Sequence, residues 1–330
     1  MSSCEQDLSD DGLHEICMRN RHLRLSILPD AGGKIAEIVD RRSGRNWLWR
    51  NPHIPFRPAV YGADYGLHLD SGGWDEILLS IAPVDLHFQG GADCHIPDHG
   101  DVVGQRWSVV DASVNGAGDA VCEMAVSGRA LRYDLRRTMR LCSGSSCLEM
   151  RYSLTNQEAF AWPWYWGAHA LLTGQHDLQI ELPAEQHFRI DQPGKDVEGS
   201  EGHNLTWPHY PLQDGVSFDL SRCFDEETAP GAFAGKIFVR SPERGLVRVA
   251  AAGSSERLAI RYDPGELPWL GLWINNGGWS GCDSEPYFNL GLEPTTAAFD
   301  DVSRAIDDGA ISWLKPGETR NWAIDVELQA

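Results

Sequence analysis

Three titratable side chains occupy positions from which they could transfer protons. His169 follows the aromatic run 162–166 in an otherwise apolar segment, Glu293 follows the apolar run 290–292, and His99 stands in the turn-like sequence 97–100. A buried carboxylate must be paired, hydrogen-bonded or perturbed, and histidine changes charge near neutral pH. These residues are therefore candidates for acid–base chemistry, although a satisfied core histidine at 169 and an inert loop histidine at 99 are open alternatives.

The aromatic run suggests a binding surface. In a strand, Trp162, Trp164 and Trp166 lie on one face because side chains alternate with a period of two. Such a platform suits stacking against the C–H faces of a sugar ring, which makes Trp164 and Trp166 candidate substrate contacts, whereas the default role of tryptophan is core packing. His169 falls on the opposite face of a regular strand, unless Gly167 introduces a bulge that turns it.

The elements that must position these groups are strands. Apolar and polar residues alternate over 132–141, 148–154, 258–262 and 322–328, and turn clusters occur at 115–119 and 143–146. This pattern predicts half-buried antiparallel strands, while the clearest helical periodicity is at 299–306. The sequence predicts an all-β protein with a single large antiparallel domain spanning residues 1–330, in which about the first 15 residues form a flexible acidic tail.

Composition narrows the class of partner. The formal net charge of −20 at pH 7 opposes binding to nucleic acid and to anionic membranes, which require clustered Lys and Arg. The eight cysteines include no Cys-x-x-Cys pair, which favours reduced thiols over a zinc or redox site. The acidic N-terminus lacks the pattern of a signal peptide, and no run of about 18 apolar residues occurs, so we expect a cytoplasmic protein.

Several segments, taken in order, resemble the aldose 1-epimerase (galactose mutarotase-like) superfamily. They are an opening strand with a glycine pair at 28–35, the segment 72–76, the His-Gly pair at 99–100, the Gly-x-His element at 167–169, the Glu-Pro strand at 292–294 with the helix after it, and the closing segment 314–318. The similarity runs from about residue 20 to the C-terminus, and the shared order carries more weight than any single motif.

The resemblance implies a β-sandwich of many strands with few short helices and a long open cleft. It also implies interconversion of the α and β anomers of a free hexose or hexose derivative, which needs an acid and a base on opposite sides of one carbon. By resemblance, Glu293 would take the proton of the anomeric hydroxyl, His169 would protonate the ring oxygen, and His99 would bind or polarise the ring-oxygen side. The partner would be a small sugar, the protein a monomer or homodimer, and no metal, nucleotide or redox cofactor would be needed.

Four further residues are candidate substrate ligands. Asp75 and Glu76 could accept hydrogen bonds from sugar hydroxyls or instead bond the neighbouring loop backbone. Trp273 could wall the cleft or pack as a core indole. Asp263 could bind substrate or form a turn before the proline that follows it.

The sequence departs from the family at its sugar-binding positions. Segment 61–66 lacks the arginine-containing motif of galactose-type members, and no Asp-His substrate clamp can be placed within 219–240. Arg57, Arg106 and Lys236 are isolated in sequence and are expected to be solvated surface groups, so the convergent cations that an anionic sugar needs are unsupported. The identity of the sugar stays open.

Two other functions fit parts of the sequence. The tryptophan-rich stretches are consistent with a carbohydrate-binding protein that has no catalytic activity. A polysaccharide lyase or glycosidase on a similar sandwich could use Glu293 with Asp75 or Glu76 as a carboxylate pair. Acid–base histidines match anomer exchange better than either alternative.

Overall fold

The strands predicted from period-two alternation are present in the computed structural model. It describes residues 1–88, 93–174, 178–183, 186–193, 204–212, 217–225, 232–251, 253–281 and 285–329. In the strand Tyr133–Leu141, Tyr133 and Leu135 are buried, whereas Asp134 and Arg136 are exposed. The alternation therefore reports which face of each strand meets the core.

The described residues form strands joined by short helical turns. In chain order the strands are β1 (Ser3–Leu8), β2 (His14–Arg19), β3 (Leu23–Leu28), β4 (Lys34–Asp40), β5 (Trp74–Leu78), β6 (Val84–His87), β7 (Asp93–Ile96), β8 (Ser108–Val114), β9 (Ala120–Ser127), β10 (Tyr133–Leu141), β11 (Cys147–Asn156), β12 (Trp162–Pro163), β13 (Trp166–Thr173), β14 (Leu178–Glu181), β15 (His187–Gln192), β16 (Asn204–Thr206), β17 (His209–Pro211), β18 (Ser217–Asp219), β19 (Phe233–Arg240), β20 (Leu246–Ala251), β21 (Arg257–Tyr262), β22 (Trp269–Asn276), β23 (Phe288–Thr295), β24 (Trp313–Leu314) and β25 (Thr319–Gln329). The helical turns are two 3₁₀ turns (Pro29–Ala31 and Leu220–Arg222), a π-turn (Tyr65–Leu69) and the α-helix α1 (Val302–Asp307).

Helix α1 begins later than the predicted residue 299. Its N-cap is Asp301, whose carboxylate accepts a hydrogen bond from the Ser303 amide at 2.8 Å. An aspartate at the N-cap satisfies an amide that has no partner within the helix, and this fixes the first helical residue as Val302.

Two large sheets form the sandwich, which confirms the predicted fold class. Within the described residues, the larger sheet has eleven strands in the order β1-β2-β3-β4-β5-β13-β23-β22-β19-β15-β16. The second has eight strands in the order β14-β20-β21-β25-β11-β10-β9-β8. Their facing sides share one hydrophobic cluster, to which Leu292 of β23 and Ile324 of β25 both belong. The faces of the larger sheet thus differ, because one is buried in this core and the other is free to carry a site.

The tryptophans of the aromatic run belong to the core. Trp162, Trp164 and Trp166 have relative exposures of 0%, 2% and 0%. The rings of Trp164 and Trp166 lie 4.7 and 5.1 Å from that of Trp322 on β25. The predicted sugar-stacking platform is therefore wrong, because these indoles use their large apolar area to hold the two sheets together.

A buried ion pair also joins the sheets. Arg137 occupies an inward position of β10, and its guanidinium donates to Glu76 Oε1 on β5 at 2.9 Å, with both side chains at 0% exposure. Glu76 accepts two more hydrogen bonds, from Tyr152 OH at 2.9 Å and from Trp166 Nε1 at 3.1 Å. Burial raises the pKa of Glu76, and the charge of Arg137 opposes that rise. Glu76 is therefore a structural carboxylate of the core.

The expected flexible tail is wrong for the first strand. Ser3–Leu8 forms β1, which pairs antiparallel with β2 from Ser3 opposite Arg19 to Leu8 opposite His14. Most side chains of β1 are exposed, so the backbone ladder holds it with little help from apolar packing. An edge strand of this kind has an acidic sequence without the alternation that reveals central strands.

The described cysteines are free thiols. Burial is the main cause that raises the pKa of Cys94 and of Cys122 to about 12, so these thiols stay protonated and unreactive. Cys282 lies outside the described residues. In the part of the chain that the structure describes, no helix is both long and apolar enough to cross a membrane.

We predict that Arg137→Ala destabilises the fold by about 3–5 kcal/mol, because it leaves Glu76 buried without its counter-charge. Urea unfolding followed by fluorescence measures the change. The control is Arg136→Ala on the same strand, whose exposed pair with Glu123 at 2.8 Å should contribute about 0–1 kcal/mol. Equal losses in the two variants would contradict a sheet-to-sheet role for the buried pair.

Candidate active site

A cavity of about 460 Å³ opens on the face of the larger sheet that points away from the second sheet. Its wall includes the predicted residues His99, His169, Trp273 and Glu293. Three of these lie on the adjacent strands β13, β23 and β22. Period-two alternation brings them to one face, because Leu292 and Leu272, which are their neighbours in sequence, point into the core.

Strand register sets His169 against Glu293. Gly167 pairs with Thr295 and Ala170 with Leu292, so His169 stands directly across from Glu293. His169 Nε2 lies 3.9 Å from Glu293 Oε1, and both side chains are almost fully buried. β13 runs continuously from Trp166 to Thr173, so a regular strand, without the proposed bulge at Gly167, sends Trp166 into the core and His169 into the cavity.

Glu293 is paired with a buried lysine that the sequence did not reveal. Lys236 Nζ donates to Glu293 Oε2 and lies 3.6 Å from Asp300 Oδ1. Burial opposes the charge on Lys236, but the carboxylates of Asp300 and Glu293 outweigh it and raise the pKa of this amine. The expectation of a solvated Lys236 is therefore wrong, whereas Arg57 and Arg106 are exposed as predicted.

Lys236 contacts only one of the two carboxylate oxygens of Glu293. Among the described residues, Glu293 Oε1 and Asp300 Oδ1 are buried and have no hydrogen-bond partner. Asp300 Oδ2 accepts from Gln192 at 3.0 Å. Behind it, burial followed by the charge of Asp300 raises the pKa of Asp191 to about 6. Acceptors that make no hydrogen bond, on residues that line a cavity, are candidates to receive one from a ligand hydroxyl.

The hydrogen bonds of His169 define its tautomer. Tyr65 OH donates to Asp75 Oδ2 at 2.9 Å and lies 3.4 Å from His169 Nδ1. Burial, then the charges of Asp75 and Asp70, raise the pKa of Tyr65 well above its usual value, so the phenol keeps its proton. Because that proton goes to Asp75, the phenol oxygen accepts from Nδ1–H of His169. Nε2 is then the unprotonated nitrogen and faces Glu293.

His169 is neutral as well as oriented. Burial is the largest cause that lowers the pKa of His169 well below 6.5, and the positive charges of His99, Lys236 and Lys34 act in the same direction. A neutral imidazole with an unprotonated Nε2 is a proton acceptor.

His99 approaches from a strained turn. Its φ is 59°, a left-handed backbone that side chains other than glycine seldom adopt, and its ring stacks on Tyr65 with centroids 3.5 Å apart. His99 Nδ1 lies 2.9 Å from Asp98 Oδ1. Burial opposes ionisation of Asp98, but the hydrogen bond and charge of His99 lower the pKa of this carboxyl. An ionised Asp98 therefore holds the His99 ring in place through Nδ1.

Asp75 and Glu76 were expected to bind substrate directly, and this expectation is wrong. Asp75 is 1% exposed, and its Oδ2 accepts from Lys34 Nζ at 2.5 Å as well as from Tyr65. It therefore lies behind His169 as an orienting group. Glu76, one residue further along β5, points to the opposite face and into the core ion pair with Arg137.

The remaining predicted ligands divide between the cavity and other places. Trp273 is half-buried in the cavity wall, where its Nε1 donates to Asn289 Oδ1 at 3.2 Å. Trp164 and Trp166 are core residues and do not line the cavity. Asp263 is exposed and accepts from the Gly265 amide at 2.8 Å, which is the turn-forming alternative.

Solved structures with this architecture define its class as a galactose mutarotase-like β-sandwich. A galactose mutarotase-like protein from Clostridium acetobutylicum superposes with a TM-score of 0.67 at 14% identity, covering 98% of this chain and 98% of that one. A galactose mutarotase related enzyme from Lactobacillus acidophilus gives a TM-score of 0.64 at 12% identity, covering 96% and 97%. A Klebsiella pneumoniae protein provisionally named an aldose 1-epimerase gives 0.67 at 15% identity, covering 98% and 83%.

The chain therefore shares the galactose mutarotase-like fold, which confirms the resemblance at the level of the fold. No protein-family model and no curated protein sequence matches it. Identities this low establish a shared fold and leave the activity to be argued from the site.

We predict that His169 remains neutral at pH 6.5, with its titration midpoint below that value, because burial and the neighbouring positive charges disfavour the imidazolium. Two-bond ¹H–¹⁵N correlation spectra of labelled protein measure the midpoint and report Nδ1 as the protonated nitrogen. The His169→Asn variant assigns the signal, and the exposed His53 serves as an internal reference. A midpoint at or above 6.5 would contradict this electrostatic description.

Proposed function

We propose that this protein is an aldose 1-epimerase that interconverts the α and β anomers of a free aldose. The observation that carries the proposal is the meeting of Glu293, His169 and His99 in one cavity that Trp273 also lines. These groups come from three distant parts of the chain, and their convergence supplies both proton acceptors and a proton donor. The mutarotase-like names of proteins with this fold support the same reaction.

Anomer exchange requires two proton transfers around one carbon. A base removes the proton of the anomeric hydroxyl O1 while an acid protonates the ring oxygen O5, so that the C1–O5 bond breaks and C1 becomes a carbonyl. Rotation about C1–C2 presents the other face, and the reverse transfers close the ring. The proton count is the same before and after, which matches a site whose groups exchange protons only with the sugar.

Glu293 is the proposed acceptor of the O1 proton. Lys236 occupies its Oε2, which leaves Oε1 as the oxygen free to meet the hydroxyl. Lys236 therefore acts as a positioning residue, because it compensates the buried negative charge without blocking the reactive oxygen. Asp300 shares the same ammonium through Oδ1, which makes no hydrogen bond and is the proposed acceptor for a second hydroxyl.

His99 is the proposed donor to the ring oxygen. The resemblance implies that His169 has this role, but a neutral His169 with an unprotonated Nε2 has no proton to give at neutral pH. His99, paired with the ionised Asp98, can carry one. His169, 3.9 Å from Glu293, is then the second acceptor and can take the proton on from Glu293 during the open-chain stage.

Gly291 leaves room for the carboxylate of Glu293. A Cβ atom at Gly291 would lie 2.6 Å from Glu293 Oε1 and 2.9 Å from the Cβ of Trp273. The absence of a side chain at this strand position lets the carboxylate lie flat against β23 and beside β22.

We predict that the protein accelerates the equilibration of fresh α-aldoses, measured by polarimetry or NMR exchange. Glu293→Gln and His99→Asn should each lower kcat/KM by about 10²–10⁴-fold, because a positioned acid or base contributes that much. His53→Asn, at an exposed position outside the cavity, is the control.

Two outcomes distinguish an error in the assigned residue roles from an error in the proposed function. Full activity in His99→Asn together with loss in His169→Asn would return the donor role to His169 and keep the function. Saturable sugar binding without any exchange by the unmodified protein would exclude the epimerase and favour a carbohydrate-binding protein.

We also predict that Gly291→Ala lowers kcat by about 10²-fold while the protein stays folded, since a displacement of about 1 Å at a reacting group has that effect. Circular dichroism and anomer exchange on the same samples test this. Gly116→Ala, where the added Cβ meets nothing within 4 Å, is the matched control. Unchanged kcat in Gly291→Ala would show that the carboxylate does not need its present position.

A further inference from the structure

The mouth of the cavity carries a tryptophan that core packing does not explain. Trp279 lines the cavity and is 50% exposed. Because it stands at the cavity mouth, this indole is placed to contact a bound ligand, as the aromatic side chains of small-molecule sites do. The exposed indole is therefore at Trp279, and not in the aromatic run 162–166, where the sequence predicted a sugar-stacking surface.

The backbone of Trp279 is fixed although its ring is exposed. Asn275 holds it twice: Asn275 Nδ2 donates to the Trp279 carbonyl at 3.0 Å, and the Trp279 amide donates to Asn275 Oδ1 at 3.0 Å. Next to it, Gly278 is pressed against β19, where an added Cβ would lie 2.3 Å from the Phe233 carbonyl carbon. The indole is therefore presented from a rigid turn, which lowers the entropic cost of binding.

Aromatic surface continues from Trp279 into the cavity. Trp273 lines the inner wall and packs with Trp49, Leu171 and Tyr287 in a separate hydrophobic cluster. A volume of about 460 Å³ lies within the range of about 300–1,000 Å³ for sites that enclose drug-sized ligands, which are larger than one hexose. The space beyond the reacting groups thus suits a second ring.

The charges of the wall select against an anion. The described lining residues include five carboxylates (Asp64, Asp70, Asp98, Glu293 and Asp300) and a single lysine. That lysine is Lys236, whose charge is already shared by Glu293 and Asp300. A phosphate or sulfate group would meet excess negative charge, whereas the hydroxyls of a neutral sugar find acceptors.

We propose that the cavity mouth is a subsite for a second, uncharged sugar ring, so that the preferred substrate is a reducing disaccharide or longer oligosaccharide. This inference rests on the proposed function, because it assumes that the reducing-end ring lies between Glu293 and His99. The outer ring stacks on Trp279, and the inner ring reaches Trp273.

The test compares anomer exchange on glucose, maltose, cellobiose, lactose and glucose 6-phosphate by NMR. At least one disaccharide should show a higher kcat/KM than glucose, and glucose 6-phosphate a lower one. Trp279→Ala should lower the ratio of disaccharide to glucose kcat/KM by about tenfold, as the loss of one aromatic stacking contact does. Trp313→Ala, which removes a 43% exposed tryptophan away from the cavity, should leave the ratio unchanged.

Two results would overturn the subsite: no disaccharide exceeding glucose, or an unchanged ratio in Trp279→Ala. Failure of the proposed function is distinguishable, because the unmodified protein would then exchange no sugar at all. In that case calorimetric binding of the same sugars decides the inference. Tighter binding of a disaccharide than of glucose, lost in Trp279→Ala and kept in Trp313→Ala, supports the subsite, and equal binding removes it.

Discussion

The burial of a lysine–glutamate ion pair in the middle of the larger sheet is the constraint on which the site depends. Taking two charges out of water is costly, and the cost is offset only while the partners stay within hydrogen-bonding distance. Lys236 on β19 and Glu293 on β23 are separated by β22, so three strands must keep their register for the pair to exist. The geometry that orients Glu293 toward His169 is therefore held by the same hydrogen-bonded ladders that form the sheet.

Because side chains alternate along a strand, two adjacent buried carboxylates of β5 have different roles. On β5, Asp75 lies on the cavity side of the sheet behind His169 and contacts it through Tyr65, while Glu76 faces the core and joins the sheets through Arg137. A shift of one residue would exchange these carboxylates, leaving each without its partner. Two costly buried acids in succession thus specify the register of β5 more strictly than apolar residues could, because an apolar core accepts several arrangements.

The sequence was most informative where the signal is local or ordered along the chain. Alternation identified the central strands, and the ordered motifs predicted the fold. The same motifs selected Glu293, His169 and His99, which the structure brings to one cavity. It was least informative where a partner is distant in sequence. Lys236 lies 57 residues from Glu293 and carries no local sign of its pairing, so it resembled a surface lysine. The core packing of Trp166 was missed for a related reason, since it depends on Trp322 of a strand distant in sequence. Strand β1 was missed because most of its side chains are exposed, so its sequence lacks the alternation of central strands.

Tyr65 contacts both histidines of the cavity. Its ring stacks on His99, and its hydroxyl reaches His169 Nδ1. The two imidazoles therefore share one contact residue in the π-turn Tyr65–Leu69. A substitution that moves this turn would therefore disturb the orientation of both imidazoles together.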